Sequence, residues 1–391
     1  MINLQKYIEQ KFSNELKLLI FLSREKLSNN SFSGDLNMID WDEFVSLTIK
    51  HRLVSHVLQH SEYLAEHFPI PTYEKLIDIR LKHSKTSLSY AIHAIRIFQE
   101  FKENDVSHIF FKGPLLSLEL YNDIGYRNFG DIDVLVEKHD VEKAKNLLEE
   151  LGFYCIYPKI KLTKKQKEVN YSISHHYQFK HPVQPIHIEL HWSITNPKSF
   201  FGMESHDIIS NSISLKVSNY ELPYISKIEN IVFLAAHGSI HQWYRLFWIK
   251  DFSKLLTKVN SDDLEKAFEL SKNLNLQNCF IQACLLSNLL YKTEVPDFKN
   301  FSIKQNLKKI PLNSISEKDL SKQGLIGKIR FVIYRIKLKP DLNYYFELIY
   351  RLRTHLLDWE LIKLPEKLFF MYYILRPFLL LYRFLFKRRR V

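Results

Sequence analysis

The sequence FFKGPLLSLELYNDIGYRNFGDIDVLV, residues 110–136, decides the fold. It begins inside an apolar strand, passes through a glycine and a proline, and ends with two aspartates in an apolar run. Pro114 suits the first turn of a helix, because the N–H that proline lacks has no intrahelical partner there. The stretch therefore predicts a strand, a helix and a second strand, in that order.

Two aspartates, Asp131 and Asp133, stand at the start of the second strand. Because side chains alternate along a strand, these two share one face and Ile132, Val134 and Val136 share the other. Carboxylates this close repel each other, and a hard divalent cation such as Mg²⁺ removes the conflict. Taken alone, the pair also fits two solvated aspartates at a strand end, and for the pair alone we favour that simpler interpretation.

A later strand carries a third carboxylate. In HIELHW, Glu189 shares a strand face with His187 and His191. On a strand next to the aspartates, Glu189 would complete a three-carboxylate site with Asp131 and Asp133. Such a site holds two Mg²⁺ ions, or Mn²⁺ in their place, across a phosphate group.

Lys112 and Gly113 stand between the first strand and the helix. A helix N-terminus favours phosphate because its N–H groups are unpaired and its dipole is positive there, and Lys112 adds a charge. Arg127, four residues before Asp131, could bind a phosphate or pair with an aspartate. The GxxxxGK[ST] spacing of a P-loop is absent, so this is a different kind of phosphate site.

Four regions follow from the periodicity of the chain. Residues 1–105 are predicted to be helical, and 106–225 to form an α/β core. Residues 226–325 form a second helical region, of which 293–325 is predicted to be a looser connection. Residues 326–391 are basic, aromatic-rich helices. The predicted fold is α+β, with a small mixed sheet flanked by N- and C-terminal helical regions.

Inside the predicted core, the elements alternate between strand and helix. After the opening stretch, HDVEKAKNLLEELGF predicts an amphipathic helix that ends at Gly152. FYCIY predicts a strand, and HHYQFKHP and PIHIELHW predict two strands joined through residues 183–185.

The net charge of +12 is concentrated near the C-terminus. Residues 321–391 contain 16 Lys and Arg against 5 Asp and Glu, which is +11 of that charge. The segment LFFMYYILRPFLLLYRFLFKRRRV combines aromatic residues with a basic end, which is typical of a helix lying on an anionic membrane surface. Packing of this helix on the protein is the alternative. The nearly neutral remainder argues against nucleic acid as a partner.

The remaining composition predicts a cytoplasmic protein. The N-terminus lacks the features of a signal peptide, and no run of 18 uncharged apolar residues is present. Three cysteines without a CxxC pair indicate a reducing compartment and argue against a thiolate zinc site. Attachment to the inner face of the membrane through the C-terminal helix stays an option.

These motifs occur in an order that resembles the polymerase-β-like nucleotidyltransferase superfamily. The strand–Lys-Gly–helix, the R-x-x-G-D-I-D and the later E-L-H-W are more closely similar to a family of uncharacterised bacterial nucleotidyltransferases. That family also tends to show an LP…RP segment, here LPEKLFFMYYILRPF, and an H-x-x-x-H…R-x-x-W-x-x-D segment. Its residues here are His237, His241, Arg245, Trp248 and Asp251.

One departure from the wider superfamily concerns the phosphate contacts. Its usual Gly-Ser or Gly-Gly pair, about ten residues before the first aspartate, is replaced by Gly113-Pro114, and Gly113 precedes Asp131 by 18 residues. The narrower family shares the longer spacing. The resemblance therefore holds, whereas the contacts to the triphosphate must differ in detail.

The resemblance implies metal-dependent transfer of an NMP from an NTP to a hydroxyl or phosphate acceptor, with release of pyrophosphate. It implies Asp131, Asp133 and Glu189 as catalytic metal ligands. The implied substrate-pocket residues are His191, His237, His241, Arg245 and Asp251. The sequence does not choose among ATP, CTP, GTP and UTP, nor among a small molecule, a peptide and a glycan precursor as acceptor.

Three alternatives stay open. The chain could be an inactive nucleotide-binding or partner-binding module in a membrane-linked biosynthetic pathway. His237 and His241, which the spacing places on one helix face with Arg245, could form a zinc half-site or a buried polar cluster. Four histidines around the predicted hairpin could form a transition-metal site of a hydrolase, namely His176, His181, His187 and His191.

Overall fold

The computed structural model describes residues 4–27, 32–64, 66–295, 305–317 and 325–386. The chain forms two compact units, and each is assembled from segments that are distant in the sequence. Unit one comprises Met1–Arg96, Phe111–Gly130 and Asn211–Pro340. Unit two comprises Ile97–Phe110, Asp131–Ser210 and Asp341–Val391.

The α-helices of the described residues are α1 (Leu4–Lys11), α2 (Asn14–Leu22), α3 (Trp41–Lys50), α4 (Val54–Gln59), α5 (Ile70–Glu103), α6 (Gly113–Tyr121), α7 (Val141–Glu150), α8 (Lys164–Ile173), α9 (Lys198–Phe201), α10 (Ser205–Ser210), α11 (Lys227–Ile240), α12 (Leu246–Leu256), α13 (Ser261–Asn273), α14 (Gln277–Tyr291), α15 (Gln305–Ser316), α16 (Leu325–Leu338), α17 (Leu342–Tyr350), α18 (Leu356–Leu361) and α19 (Met371–Phe386). The β-strands are β1 (His108–Phe111), β2 (Ile132–Val136), β3 (Tyr154–Tyr157), β4 (His176–Lys180), β5 (His187–His191), β6 (Ile213–Val217) and β7 (Tyr220–Tyr224). The α+β class predicted from the sequence is confirmed.

The strands of unit two lie in the order β3-β4-β5-β2-β1. β4 is antiparallel to both β3 and β5, whereas β2 is parallel to β5, so the sheet is mixed. The strand–helix–strand order predicted for residues 110–136 is present as β1, α6 and β2, and the predicted hairpin is present as β4 and β5. The sheet therefore brings β2 and β5 into direct contact, although their first paired residues, Ile132 and Ile188, are 56 positions apart in the chain.

The two faces of this sheet differ in polarity because side chains alternate along each strand. One face is apolar, and its side chains on β4, β5 and β2 are buried: Tyr177, Phe179, Ile188, Leu190, Ile132 and Val134. The helix α7 packs against β3 and β5. The opposite face carries the polar residues of the same strands, among them Gln178, Glu189 and Asp133. The apolar face thus provides the core, and the polar face holds the candidate site.

His108 in β1 is a buried titratable group within the core of unit two. The rings of Phe98, Phe101 and Phe110 lie 5.2–6.0 Å from its ring, and its Nδ1–H donates to the carbonyl of Val106 at 2.8 Å. Burial lowers the pKa of His108 from 6.5 to about 4, although the bond to Val106 acts in the opposite direction. Protonated His108 would place a charge among phenylalanine rings.

We expect this histidine to make the protein sensitive to acid. Between pH 6.5 and 4 the unfolded chain binds the His108 proton and the folded chain does not, so stability falls as the pH falls. From pH 7 to pH 4, His108 should cost at most about 3 kcal/mol of unfolding free energy. His108→Asn keeps a donor for Val106 and cannot be charged. Urea denaturation at both pH values should show a smaller loss in this variant, and an equal loss would contradict the prediction.

The structure contains elements that the sequence did not predict. α8 lies between the predicted strands FYCIY and HHYQFKHP, where no element was predicted, although its capping box, Thr163 with Gln166, is a recognisable start signal. The hairpin of β6 and β7 turns at Ser218, whose φ of 55° is left-handed. α15 occupies part of 293–325, which was predicted to be a looser connection, while 296–304 and 318–324 lie outside the described residues.

The C-terminal segment contributes to the core of unit two. Trp359 of α18 and Tyr372 of α19 are buried in one hydrophobic cluster with Leu162, Val169 and Ile173. Asp358, which is fully buried, accepts hydrogen bonds from Arg376 and Arg383 of α19. The first half of the segment LFFMYYILRPFLLLYRFLFKRRRV is thus part of the protein core. Its basic end, KRRR, lies outside the described residues.

Among the described helices, none has both the length and the apolar composition that crossing a bilayer requires.

Candidate active site

The register of β2 against β5 places two predicted carboxylates side by side. Asp133 is the direct partner of Glu189, and both strands run in the same direction. Residues that are directly paired lie on the same face of a sheet, so the two carboxylates point the same way. On the other side of Glu189, Gln178 of β4 is its paired residue and donates from Nε2 to Oε1 at 3.1 Å. The glutamate is thereby held in a defined orientation.

Asp133 is not a solvated strand-end residue, because its exposed fraction is only 1%. This burial excludes the simpler interpretation of the aspartate pair for Asp133. Asp131, which directly precedes β2, is half-buried. It lies outside the group of ligand atoms that Asp133, Glu189 and His191 form. The structure therefore groups Asp133 and Glu189 with His191, and the metal-binding role of Asp131 stays a prediction.

His191 lies against both carboxylates. Its Nε2 is 3.2 Å from Oδ1 of Asp133 and 3.2 Å from Oε2 of Glu189. Burial lowers the pKa of His191, but hydrogen bonds and charge from the two carboxylates outweigh burial, and the net direction is upward. A positive imidazolium between Asp133 and Glu189 is consistent with this direction, and it offsets the repulsion between them.

Two further histidines extend the cluster. Nδ1 of His176 is 2.9 Å from Nε2 of His175, and His176 is the direct partner of His191 across β4 and β5. One ring nitrogen from each of His175, His176 and His191 lies within 4.8 Å of the other two. Burial, the largest effect, lowers the pKa of His175 well below its usual value, which keeps that imidazole neutral.

This histidine group differs from the one that the sequence suggested. His181 lies at the hairpin turn, where its Nδ1 accepts backbone N–H groups of Val183 and Gln184. His187 is paired with Lys180 at the far end of β5. Neither belongs to a metal-capable group of the described residues. His175 was not predicted to join this group, because alternation in the predicted strand HHYQFKHP places it on the opposite face from His176; in the structure it precedes β4.

Lys112 and Gly113 in unit one form the predicted turn between β1 and α6. Both have left-handed backbone conformations, with φ of 58° and 48°. Gly113 is the first residue of α6, and Pro114 lies in its first turn as predicted. Lys112 Nζ lies 5.3 Å from the ring centroid of Phe111 and 5.9 Å from that of Phe233. The ammonium is thus held beside aromatic faces at the N-terminal end of a helix.

Arg127 is buried in unit one and pairs with Asp251. Its Nε lies 2.6 Å from Oδ2 of Asp251, and the hydroxyl of Tyr121 donates to Oδ1 of Asp251 at 3.0 Å. The guanidinium also lies 5.0 Å from the ring centroid of Phe247. Burial, the largest effect, raises the pKa of Asp251, and Arg127 acts in the opposite direction. The sequence predicted either a phosphate or an aspartate as the partner of Arg127. In the structure the partner is Asp251, which is 124 residues away.

The prediction that His237, His241 and Arg245 share one helix face is wrong for Arg245. Helix α11 ends at Ile240, and Arg245 is the N-cap residue of the next helix, α12. The chain turns back because Gln242 and Trp243 are left-handed, each with φ of 54°, and the Trp243 ring packs on Gly238. An added Cβ at Gly238 would lie 2.2 Å from that ring, so only glycine leaves room for it.

His237 and His241 form an aromatic cluster with Trp248. Their ring centroids are 4.7 Å apart and lie 5.4 Å and 5.2 Å from that of Trp248. No third metal-ligating residue joins these two histidines within the described ranges. The zinc half-site is therefore incomplete there, and the aromatic cluster describes these residues better.

An α+β chain with a buried aspartate paired with a half-buried glutamate on neighbouring strands matches the class that its sequence motifs resemble, the nucleotidyltransferases. The chain belongs to the family described as uncharacterised nucleotidyltransferase, whose model matches residues 37–292. Among solved structures, it is similar to an antigenic nucleotidyltransferase-like protein from Paracoccidioides brasiliensis, at 13% identity and a TM-score of 0.32. That similarity covers 55% of this chain and 96% of the other. No curated protein matches the chain.

Proposed function

We propose that this protein transfers a nucleoside monophosphate from an NTP to a hydroxyl or phosphate acceptor, with release of pyrophosphate. One observation carries the proposal: Asp133 and Glu189 are in register on parallel neighbouring strands, and Asp133 is buried. A buried acid needs compensation, and two adjacent acids need more. Membership of a nucleotidyltransferase family supports the same reaction class.

The donor set fits a divalent cation. Asp133, Glu189 and His191 offer ligand atoms within 4.8 Å of one another, two of them carboxylate oxygens. Carboxylates suit Mg²⁺, and the imidazole makes Mn²⁺ an equally suitable ion. We propose Asp133 and Glu189 as ligands together with Asp131 from the adjoining segment, holding two ions. When bound, such ions neutralise triphosphate charge and activate the acceptor oxygen.

The side chains themselves would contribute in distinct ways. Asp133 lies in a buried, low-dielectric position, where its charge acts strongly on a bound group. Glu189, oriented by Gln178, keeps a fixed direction, and either Glu189 or Asp133 assists removal of the acceptor proton. Most of the acceleration comes from positioning and charge stabilisation rather than from covalent chemistry. In unit one, we propose that Lys112 and Gly113 bind a phosphate group at the start of α6.

Pyrophosphate release tests the proposal. The full chain is incubated with each of ATP, CTP, GTP and UTP and a metabolite extract of the native organism as acceptor source, with Mg²⁺, with Mn²⁺ or with EDTA. We expect release with one nucleotide and either ion, and none with EDTA. Binding of an NTP that is unaffected by EDTA, without release under any condition, would favour the inactive binding module and overturn the proposal.

A further inference from the structure

On helix α19 the apolar side chains face solvent, whereas a typical surface helix turns its apolar side chains toward the protein. Ile374, Phe378, Leu381 and Leu385, spaced by four, three and four residues, form one stripe and are 57–68% exposed. The opposite side carries Tyr372 and Arg376, both buried. The apolar side thus faces solvent and the charged side faces the protein.

The helix α17 shows a second stripe of the same kind. Leu342, Phe346 and Ile349 are 61–72% exposed, whereas Tyr344 on the other side is fully buried. The seven exposed side chains on the two helices present on the order of 700 Å² of apolar surface in total, taking aromatic side-chain areas as a guide. Soluble monomers rarely expose contiguous apolar patches larger than a few hundred Å², so two exposed apolar stripes in one segment indicate an interaction site.

The charges of the C-terminal segment, residues 341–386, indicate which kind of partner this apolar surface binds. Two of its acids are bound within the protein: Asp358 by Arg376 and Arg383, and Glu347 by the backbone N–H groups of Lys198 and Ser199. Among its described residues, the exposed charges are Arg353, Lys363 and Lys367 against Glu366, so the exposed balance is positive. A symmetric contact with a second copy would bring these like charges together, whereas an anionic lipid surface attracts them.

We propose that the outer faces of α17 and α19 form a docking surface for an anionic phospholipid membrane. The apolar stripes enter the boundary between headgroups and acyl chains, and the basic residues contact the lipid phosphates. The ion pairs of Arg376 and Arg383 with Asp358 hold α19 in place, so the surface exists before the membrane is bound. This inference does not depend on the proposed nucleotidyl transfer.

Vesicle flotation of the full chain tests the proposal. We expect partition onto vesicles of phosphatidylcholine and phosphatidylglycerol, 70:30, to exceed partition onto pure phosphatidylcholine at least tenfold, and to fall in high salt. Ile374→Gln/Phe378→Gln should reduce partition at least tenfold. Phe346→Gln/Ile349→Gln on α17 should do the same, and serves as a second variant if the first does not fold.

Val183→Gln is the matched control, because Val183 is an apolar residue in the turn between β4 and β5 of unit two and is 87% exposed. It should leave partition unchanged, and Lys363→Glu/Lys367→Glu should weaken binding only to the anionic vesicles. Equal losses in Val183→Gln and in the α19 variant would overturn the proposal. So would light scattering that shows a dimer dissociated by the α19 variant without any vesicle binding, since the surface would then belong to a second copy.

Discussion

Asp133→Asn is expected to lower nucleotidyl transfer about 10³-fold, measured as kcat/KM for pyrophosphate release with the preferred NTP. The amide has the shape of the carboxylate and can still accept from His191, but it lacks the negative charge that a divalent cation needs. The side chain is buried beside Glu189, so water cannot replace the lost ligand.

The control for this experiment is Asp207→Asn, which makes the same chemical change at an exposed position of α10 in unit two. Its activity should equal that of the wild type, and both variants should keep the wild-type melting temperature to within a few degrees. If the folded Asp133→Asn protein were fully active, Asp133 would not be a catalytic residue. The family membership would be unaffected.

Arg127→Met is expected to lower the free energy of unfolding by about 3–5 kcal/mol, the largest stability effect that we predict. Methionine retains the apolar stem that packs near Phe247, so the main loss is the charge opposite Asp251. The buried carboxylate is then uncompensated. Urea denaturation of the full chain measures the loss.

The pH dependence of the stability distinguishes an uncompensated charge on Asp251 from a simple loss of packing. Without the guanidinium, burial raises the pKa of Asp251 further, so the folded protein takes up a proton that the unfolded chain does not bind. Stability of the variant therefore rises as the pH falls. The loss relative to the wild type should be smaller at pH 5 than at pH 8, and an equal loss at both would point to packing alone.

A double variant and a surface control complete the test. Arg127→Met/Asp251→Leu should recover much of the lost stability, because it removes both buried charges, although Tyr121 then loses its acceptor. Lys227→Met breaks a partly exposed ion pair with Asp263 in the same unit and should cost less than about 1 kcal/mol.

Local pattern was sufficient for the elements around the candidate site. The alternation in residues 131–136 predicted β2, and the Lys-Gly-Pro sequence predicted the start of α6, because both depend on neighbours in the chain. The same reasoning failed at Arg245, where two left-handed residues after Ile240 end the helix that the spacing had extended. Pattern reasoning also missed α8, because the composition of that segment is polar, although its capping box is recognisable.

The site itself depends on contacts between distant segments. Sequence alternation placed Asp133 and Glu189 each on a strand face, but it contained no information on which strands are neighbours or in which register. The same holds for Arg127, whose partner among several acids is set by packing in unit one.

The stretch FFKGPLLSLELYNDIGYRNFGDIDVLV thus determined a strand, a helix, a second strand and two aspartates on one face, because these follow from backbone geometry and the alternation of side chains. Tertiary structure decided that Asp133 is buried, that Glu189 is its paired residue, and that His191 lies between them. It also decided that the apolar sides of α17 and α19 face outward. Burial and pairing depend on which surfaces the folded chain brings together, and no local pattern specifies that.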